Sequence, residues 1–503
     1  MLATVHSATL LGVDGHAVTV EVHVSAGLPS FTVVGLPDAS CRESRDRVRA
    51  AVLSSGLAWP RNRITVNLAP SGFRKVGSGL DLAIAVAVLV ASEALTASSV
   101  RGMAFLGELG LDGAIRGVSG AVALVDALVG DVAVVPVASA VEAWLVGRHR
   151  VRPVANLGEL VEAIREDAPW PEHELPSGPV AQPPPPDLAD VRGQPFARRA
   201  LEIAAAGGHH LLLVGPPGAG KTMLAKRLPG LLPDLEHAEA MLATRVHSAA
   251  GLVLPPGGLV QRPPFRAPHH SASLVSLVGG GTDALRPGEV SMAGGGVLFL
   301  DELGEFQAMV LDALRQPLEE GVVRVSRARF TVSFPARFLL VAAMNPCPCG
   351  QGGRPGSCHC SDSGRLRYRR RLSGPLLDRF DLRVDVARAD VTDLLGGRPG
   401  ESTEVVAERV RAARTRAQER GVLCNAHLAS EMLERLTPLT VDATRILDGA
   451  LRSGKLTARG LARVRRVALT LADLRGIEPP LTTDLVRLAL QLRSEPLLDP
   501  VAA

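Results

Sequence analysis

A chain of 503 residues is long enough for two or three domains, each able to bury its own core. Hydrophobic residues at 46% and charged residues at 21% are ordinary for a soluble globular protein, and a net charge of +4 is too mild to announce nucleic acid, so such a role must rest on where the arginines sit. The apolar run at residues 82–92, bounded by Asp81 and Glu93, falls short of the roughly 18 residues a spanning helix needs, and the start lacks the basic and apolar stretches of a signal peptide, so a cytoplasmic location is expected.

Residues 1–168 are expected to form one domain. Its period-two alternation, as in 17–24, reads as strands, and the Ala/Val/Leu run after Asp81 reads as a buried helix. Pro169, Pro171, Pro176, Pro179 and the tetraproline 183–186 make 169–186 a stiff linker unable to pack a core. Residues 187–395 alternate strand and helix signals, as a parallel-sheet core does. After the turn at Gly396, residues 396–503 read as helices, with the apolar residues of 461–474 spaced for one amphipathic face.

The apolar run 211–214 delivers Gly215-Pro216-Pro217-Gly218-Ala219-Gly220-Lys221-Thr222 as a buried strand delivers a phosphate-binding loop. Backbone N–H groups would turn inward around the phosphates of ATP, Lys221 would add positive charge, and Thr222 would place its hydroxyl on Mg²⁺. A helix expected over 223–228 would aim its N-terminus at the same anion. The other lysines are Lys75, Lys226 and Lys455, so a lysine at the required place is no accident of composition.

A second apolar run, 297–300, ends in Asp301-Glu302. Asp301 is suited to hold Mg²⁺ and Glu302 to polarise the attacking water, the division of labour that in-line phosphoryl transfer needs. A third run, 338–344, ends in Asn345, whose amide can orient that water. Arg379 follows a short apolar turn, and Arg459 opens a basic helical stretch.

This order resembles that of the AAA+ ATPases: phosphate loop, acidic strand, sensor Asn, arginine finger, and a sensor Arg in a helical lid. More narrowly, Arg262-Pro263-Pro264-Phe265-Arg266-Ala267-Pro268-His269-His270-Ser271, Asp301-Glu302-Leu303, Asn345-Pro346-Cys347-Pro348-Cys349-Gly350 and Ser373-Gly374-Pro375-Leu376-Leu377-Asp378-Arg379-Phe380-Asp381 resemble the magnesium-chelatase-like branch and its ComM/YifB family. The resemblance covers essentially the whole chain. One departure is Ala293-Gly294-Gly295-Gly296, where the family has a His and an Asn before the acidic strand. It implies an α/β fold, a P-loop AAA+ core with a helical lid preceded by a Lon-protease-like α+β domain. It also implies ATP and Mg²⁺ as cofactors, Gln194 near the adenine, Arg379 reaching the γ-phosphate of an adjacent subunit in a hexamer, and Arg459 reporting nucleotide state.

In the first domain the Lon-type likeness runs through 67–70, 75–82 and 107–109. Lon-type proteolysis needs a Ser nucleophile with a Lys base, and the segment 117–130, where the Lys belongs, has none. Ser78 and Lys75, three residues apart on a glycine-flanked turn, lack the fixed relation that activates a serine, so docking of an unknown partner is the expectation. Cys347, Cys349, Cys358 and Cys360 fall in one Gly-rich segment and can converge as thiolate ligands of Zn²⁺, or stand as reduced structural thiols. Residues 321–332 read as a β-hairpin with a basic tip. The resemblance places such a hairpin toward a ring's pore, where Arg324, Arg327 and Arg329, with Arg266, His269 and His270, would form a collar on the backbone of DNA, branched or single-stranded. Aromatic residues, 3% of the chain, are too few for base stacking. The expected activity is that of an ATP-driven DNA motor in branch migration or helicase work, during recombination or natural transformation. The alternatives are a metal-insertion chaperone like the magnesium chelatase subunit, from which the Lon-like domain would distinguish this chain, and an ATP-dependent protease.

Overall fold

The computed structural model describes residues 1–165, 169–173, 184–281, 285–327, 330–351, 358–396 and 399–493. Nine strands occupy the first 154 residues: β1 (Leu2–Leu11), β2 (Asp14–Ser25), β3 (Ser30–Val34), β4 (Arg63–Ala69), β5 (Met103–Phe105), β6 (Glu108–Leu109), β7 (Ile115–Arg116), β8 (Val132–Pro136) and β9 (Arg150–Val154). Seven of them form one mixed sheet in the order β3-β4-β2-β1-β5-β8-β9. The alternation expected of 17–24 is that of β2, whose inward residues Val18, Val20 and Val22 are buried. The helix Asp81–Ala91 is buried on every face, which is why its sequence carries no polar stripe.

A second sheet, wholly parallel, has the order β11-β14-β17-β10-β18, with β10 (Leu211–Val214), β11 (Phe265–Arg266), β14 (Val297–Leu300), β17 (Leu339–Met344) and β18 (Leu382–Asp385). Two short strands, β12 (Gly279–Gly280) and β13 (Arg286–Pro287), pair beside it. β15 (Val322–Arg327) and β16 (Phe330–Pro335) make the expected hairpin, in register from Val322 opposite Pro335 to Arg327 opposite Phe330. The helix after the phosphate loop is Lys221–Ala225, starting two residues earlier and ending sooner than expected. A 3₁₀ turn, Leu228–Leu231, replaces its continuation where Pro229 removes a backbone donor.

Residues 403–491 are mainly helical: Thr403–Glu419, Ser430–Leu436, Val441–Arg452, Ala458–Arg475 and Thr483–Gln491. Val410, Val464, Val467 and Leu471 share one core with Leu211, Leu213 and Val341 of the parallel sheet, so the helical part is packed onto the nucleotide-binding half. The first domain is seated on the same half. Gly120 N donates to Ser248 O at 2.9 Å, and Arg245 pairs with Asp126 at 2.8 Å. The β1–β2 turn presses on the hairpin: Val13 is buried with Val332 and Phe334, and a Cβ on Gly12 (φ +70°) would lie 2.3 Å from Val332 Cγ1. Among the described residues no helix is long and apolar enough to cross a membrane.

Candidate nucleotide site

Because β10, β17 and β14 are parallel neighbours, the three loops that leave their C-terminal ends open along one edge of the sheet. The phosphate loop turns with Gly218 at φ +76° and Gly220 at φ +88°, a region that costs a side-chain-bearing residue strain. Lys221, 9% exposed, donates from Nζ to Gly215 O at 2.7 Å, Pro216 O at 3.0 Å and Asn345 Oδ1 at 3.1 Å. The sensor amide and the loop lysine thus meet directly. Burial lowers the Lys221 ammonium from its ordinary value, and Asp301 and Glu302 work against that.

Thr222 Oγ1 donates to Asp301 Oδ2 at 2.6 Å. A hydroxyl and a carboxylate oxygen converging at the phosphate end of the loop are the donor set that Mg²⁺ takes beside its waters. The backbone N of Glu302 donates to Asp301 Oδ1 at 2.9 Å, and Glu302 itself takes φ +51°, a strained left-handed turn that swings its carboxylate out of the line of β14. His270 Nδ1 lies 3.0 Å from Glu302 Oε2, and the His270 ring packs 4.1 Å from that of His269. This pairing was not legible in the sequence, because it joins residues 32 apart through the alignment of β11 with β14.

Gln194 is buried and donates its amide to Ala219 O at 3.4 Å and to Ala387 O, holding it at the loop's far side. Arg388, unmarked by any motif, donates to Pro217 O at 3.4 Å. The cysteine segment leans on the same loop, since a Cβ on Gly350 would fall 2.3 Å from Pro217 Cδ. The Sγ atoms of Cys347, Cys349, Cys358 and Cys360 all lie within 4.8 Å of one another, three of the separations being 3.4, 3.5 and 3.8 Å. Thiolates at about 2.3 Å from a tetrahedral Zn²⁺ stand about 3.8 Å apart, so this set fits that ion.

Arg379 is ion-paired with Glu319, and its Nε is buried without a hydrogen-bond partner. Burial lowers the Arg379 guanidinium, and Arg463, Arg459 and Arg315 add repulsion. Arg459 is exposed at the start of Ala458–Arg475. Arg463 and Arg315 are themselves paired, with Asp381 and with Asp312. The basic collar is less uniform. Arg324 is exposed and paired with Glu320, and His269 is exposed with Nδ1 2.8 Å from Ser271 Oγ. Arg266 differs from the expectation: it forms a two-pronged pair with Glu289 at 2.6 and 2.8 Å, because a half-buried guanidinium is costly without a carboxylate. His270 is turned to Glu302, as above. The Arg327 backbone ends β15, and Arg329 lies outside the described residues.

In the first domain Ser78 donates to Glu108, whereas Lys75 is fully buried and donates to Phe73 O at 3.1 Å and to Pro70 O. Serine and lysine do not meet, so no Ser–Lys dyad forms between them.

Comparison with known proteins agrees with this geometry. Residues 187–394 match the family described as magnesium chelatase, subunit ChlI, residues 20–136 that described as subunit ChlI of Mg-chelatase, and residues 400–493 its C-terminal part. YifB of Escherichia coli is 45% identical over 94% of this chain and 93% of its own length. Competence protein ComM of Haemophilus influenzae is 44% identical over 94% of each. The chain belongs to the ComM/YifB family of magnesium-chelatase-like AAA+ ATPases. An uncharacterized protein of Mycobacterium tuberculosis, Rv2897c, is likewise 45% identical over 95% of this chain and 96% of its own. Membership implies nucleotide and Mg²⁺ use, for which Lys221, Thr222 and Asp301 supply the groups. The description attached to 20–136 carries the chelatase name as well, so the first domain does not by itself set this family apart from the chelatase subunit.

Proposed function

We propose that this chain is a ring-forming, ATP-driven motor on DNA that performs branch migration or unwinding in recombination or natural transformation. The observation that carries the reading is similarity along 94% of the chain to a protein named for competence, joined to a nucleotide site whose groups are all in place. In this reading Arg379 and its crowded neighbours serve the γ-phosphate of the next subunit in a hexamer. The hairpin tip around Arg324, Arg327 and Arg329 faces a central pore and tracks phosphates without reading bases. DNA engaging the exposed His269 would shift the His270 ring packed against it, and with it the carboxylate of Glu302, which links the track to hydrolysis.

The test is ATP turnover with and without a four-way DNA junction, on the wild type and on an Arg324→Ala/Arg327→Ala/Arg329→Ala variant. Stimulation by the junction is expected in the wild type. The variant should keep basal turnover, bind DNA more weakly whatever the base sequence, and show a flatter dependence on salt because fewer counterions are released. Wild-type turnover indifferent to every DNA form would favour the metal-insertion chaperone, which the chelatase descriptions of the matched families support.

The four cysteines complete the reading as a structural Zn²⁺ site that pins the segment after Asn345 against the phosphate loop. Zinc should copurify at about one per chain and be lost from a Cys347→Ser/Cys358→Ser variant. Metal analysis returning none from protein kept from chelator and oxidant would leave reduced thiols.

A further inference from the structure

A cleft of about 1150 Å³ lies between the first domain and the nucleotide-binding half, and no residue of the phosphate loop lines it. Its walls are largely apolar, with Leu10, Val34, Leu36, Phe73, Val118 and Leu285 among them. Three cations, Arg42, Arg74 and Arg286, stand on these walls, all exposed, and none has a carboxylate partner among the described residues. Several arginines elsewhere are already committed. Arg47 is taken by Asp81, Arg266 by Glu289, and Arg409 by both Glu202 and Glu401. Among the described residues lining the cleft the single carboxylate, Glu108, is occupied by the Ser78 hydroxyl.

The cleft also meets the end of a sheet edge. β3 pairs with β4 on one side only, and its last residue, Val34, is 41% exposed. The chain then turns sharply through Gly35 at φ +94° and Leu36 at φ +59°, leaving Leu36 47% exposed. A leucine in left-handed backbone carries strain, held here by its carbonyl accepting the Lys75 N–H at 3.1 Å, and such strain concentrates where a ligand is gripped. An open strand edge offers unpaired N–H and C=O groups to an added strand.

We propose that this cleft is a docking site for an extended acidic segment of a partner protein. Alternate apolar side chains of the segment enter between Val34, Phe73 and Leu285, and its carboxylates meet Arg42, Arg74 and Arg286. A nucleic acid fits the walls poorly: among the described residues Phe73 is the one aromatic ring lining the cleft, and aliphatic side chains offer no stacking platform. Proteolysis of the segment is not part of the proposal, because Ser78 and Lys75 point to different partners. The site is a dock, and it spans both halves of the molecule, since Leu285 and Arg286 come from the ATPase side.

The experiment uses the full chain and a fluorescein-labelled peptide of alternating Leu and Glu, about eight residues long, followed by anisotropy. Comparison probes are the alternating Leu/Lys peptide and a labelled oligothymidine of similar length. The wild type should bind the acidic peptide saturably and the basic one not at all. An Arg42→Glu/Arg74→Glu/Arg286→Glu variant should bind at least about tenfold more weakly with ATP turnover unchanged, the turnover serving as the check on folding. Val34→Glu, which places a like charge on the apolar wall, should weaken the same peptide independently. Absence of saturable binding by the wild type, equal binding by the variants, or a preference for the oligothymidine lost with the same arginines would overturn the proposal.

Discussion

Lys75 and Lys221 look alike in isolation. Each is buried beside glycines, each gives its ammonium protons to backbone carbonyls a few residues before it, and burial lowers each from its ordinary value. They differ in what else the fold brings. The Lys75 ammonium is held by its own turn, Pro70 O, Phe73 O and the Phe73 ring with its centroid at 4.5 Å, and the other group acting on it is the Cys41 thiol, no carboxylate. Lys221 stands where three parallel strands end, so Asn345 reaches it at 3.1 Å and the charges of Asp301 and Glu302 act on it. A buried cation becomes a chemical group when neighbouring strands deliver partners to it. Otherwise it fastens a loop.

The comparison is broken most sharply at Lys221. Lys221→Ala should cut ATP turnover at least about a thousandfold and abolish nucleotide binding, with little effect on melting temperature. Glu302→Gln should keep binding while turnover falls by about 10² to 10⁴, since the amide cannot take the proton of the attacking water. A Glu302 variant with normal turnover would remove that residue from the role of base, and His270 would then be holding a bystander.

At Lys75 the expected effect is on stability. Lys75→Ala leaves two buried carbonyls without a donor and opens a cavity, which should cost about 2–4 kcal/mol in denaturant unfolding while turnover per folded molecule stays within about twofold. Loss of turnover comparable to that of Lys221→Ala would show that the first domain takes part in the chemistry and that the two lysines are not so different.

What the sequence made legible follows the same division. The phosphate loop, Asp301, Glu302 and Asn345 were readable because each sits at the end of an apolar run, and three such runs placed side by side put their ends together with no further information. The hairpin was readable from its alternation. The pairings of Arg266 with Glu289 and of His270 with Glu302 were not, because charge alone does not say which distant carboxylate a side chain will meet. Nor could spacing show that Val13 would be buried against the hairpin or that three arginines would share one cleft, both being consequences of how the first domain sits on the second half.

The smallest effect, and the one that extends the comparison to a third buried base, belongs to His210. Its Nδ1 accepts the backbone N–H of Leu340 at 3.0 Å, so the neutral ring is built into the join between β10 and β17. Burial pushes the imidazole down to about 4 from 6.5; Asp381 pulls it up, and Arg463, His209 and His427 push it further down. Between those two values the unfolded chain takes up a proton that the folded one refuses, so stability should fall as pH drops from about 6.5 to about 4, by at most about 3 kcal/mol from this group. Asp381, held well below the carboxylate range by Arg463 and His209 despite its burial, loses its own contribution only at more acid pH. Asp81, raised to about 6 by burial, works in the opposite direction within part of the window, so only a difference between variants isolates His210. In His210→Asn the amide oxygen can accept the Leu340 N–H with nothing left to titrate. Across pH 4 to 7, denaturant unfolding should therefore show the wild type losing stability toward acid relative to this variant, whose profile is the flatter. Parallel profiles would mean that His210 carries its proton in the folded chain and that the Leu340 hydrogen bond is not made.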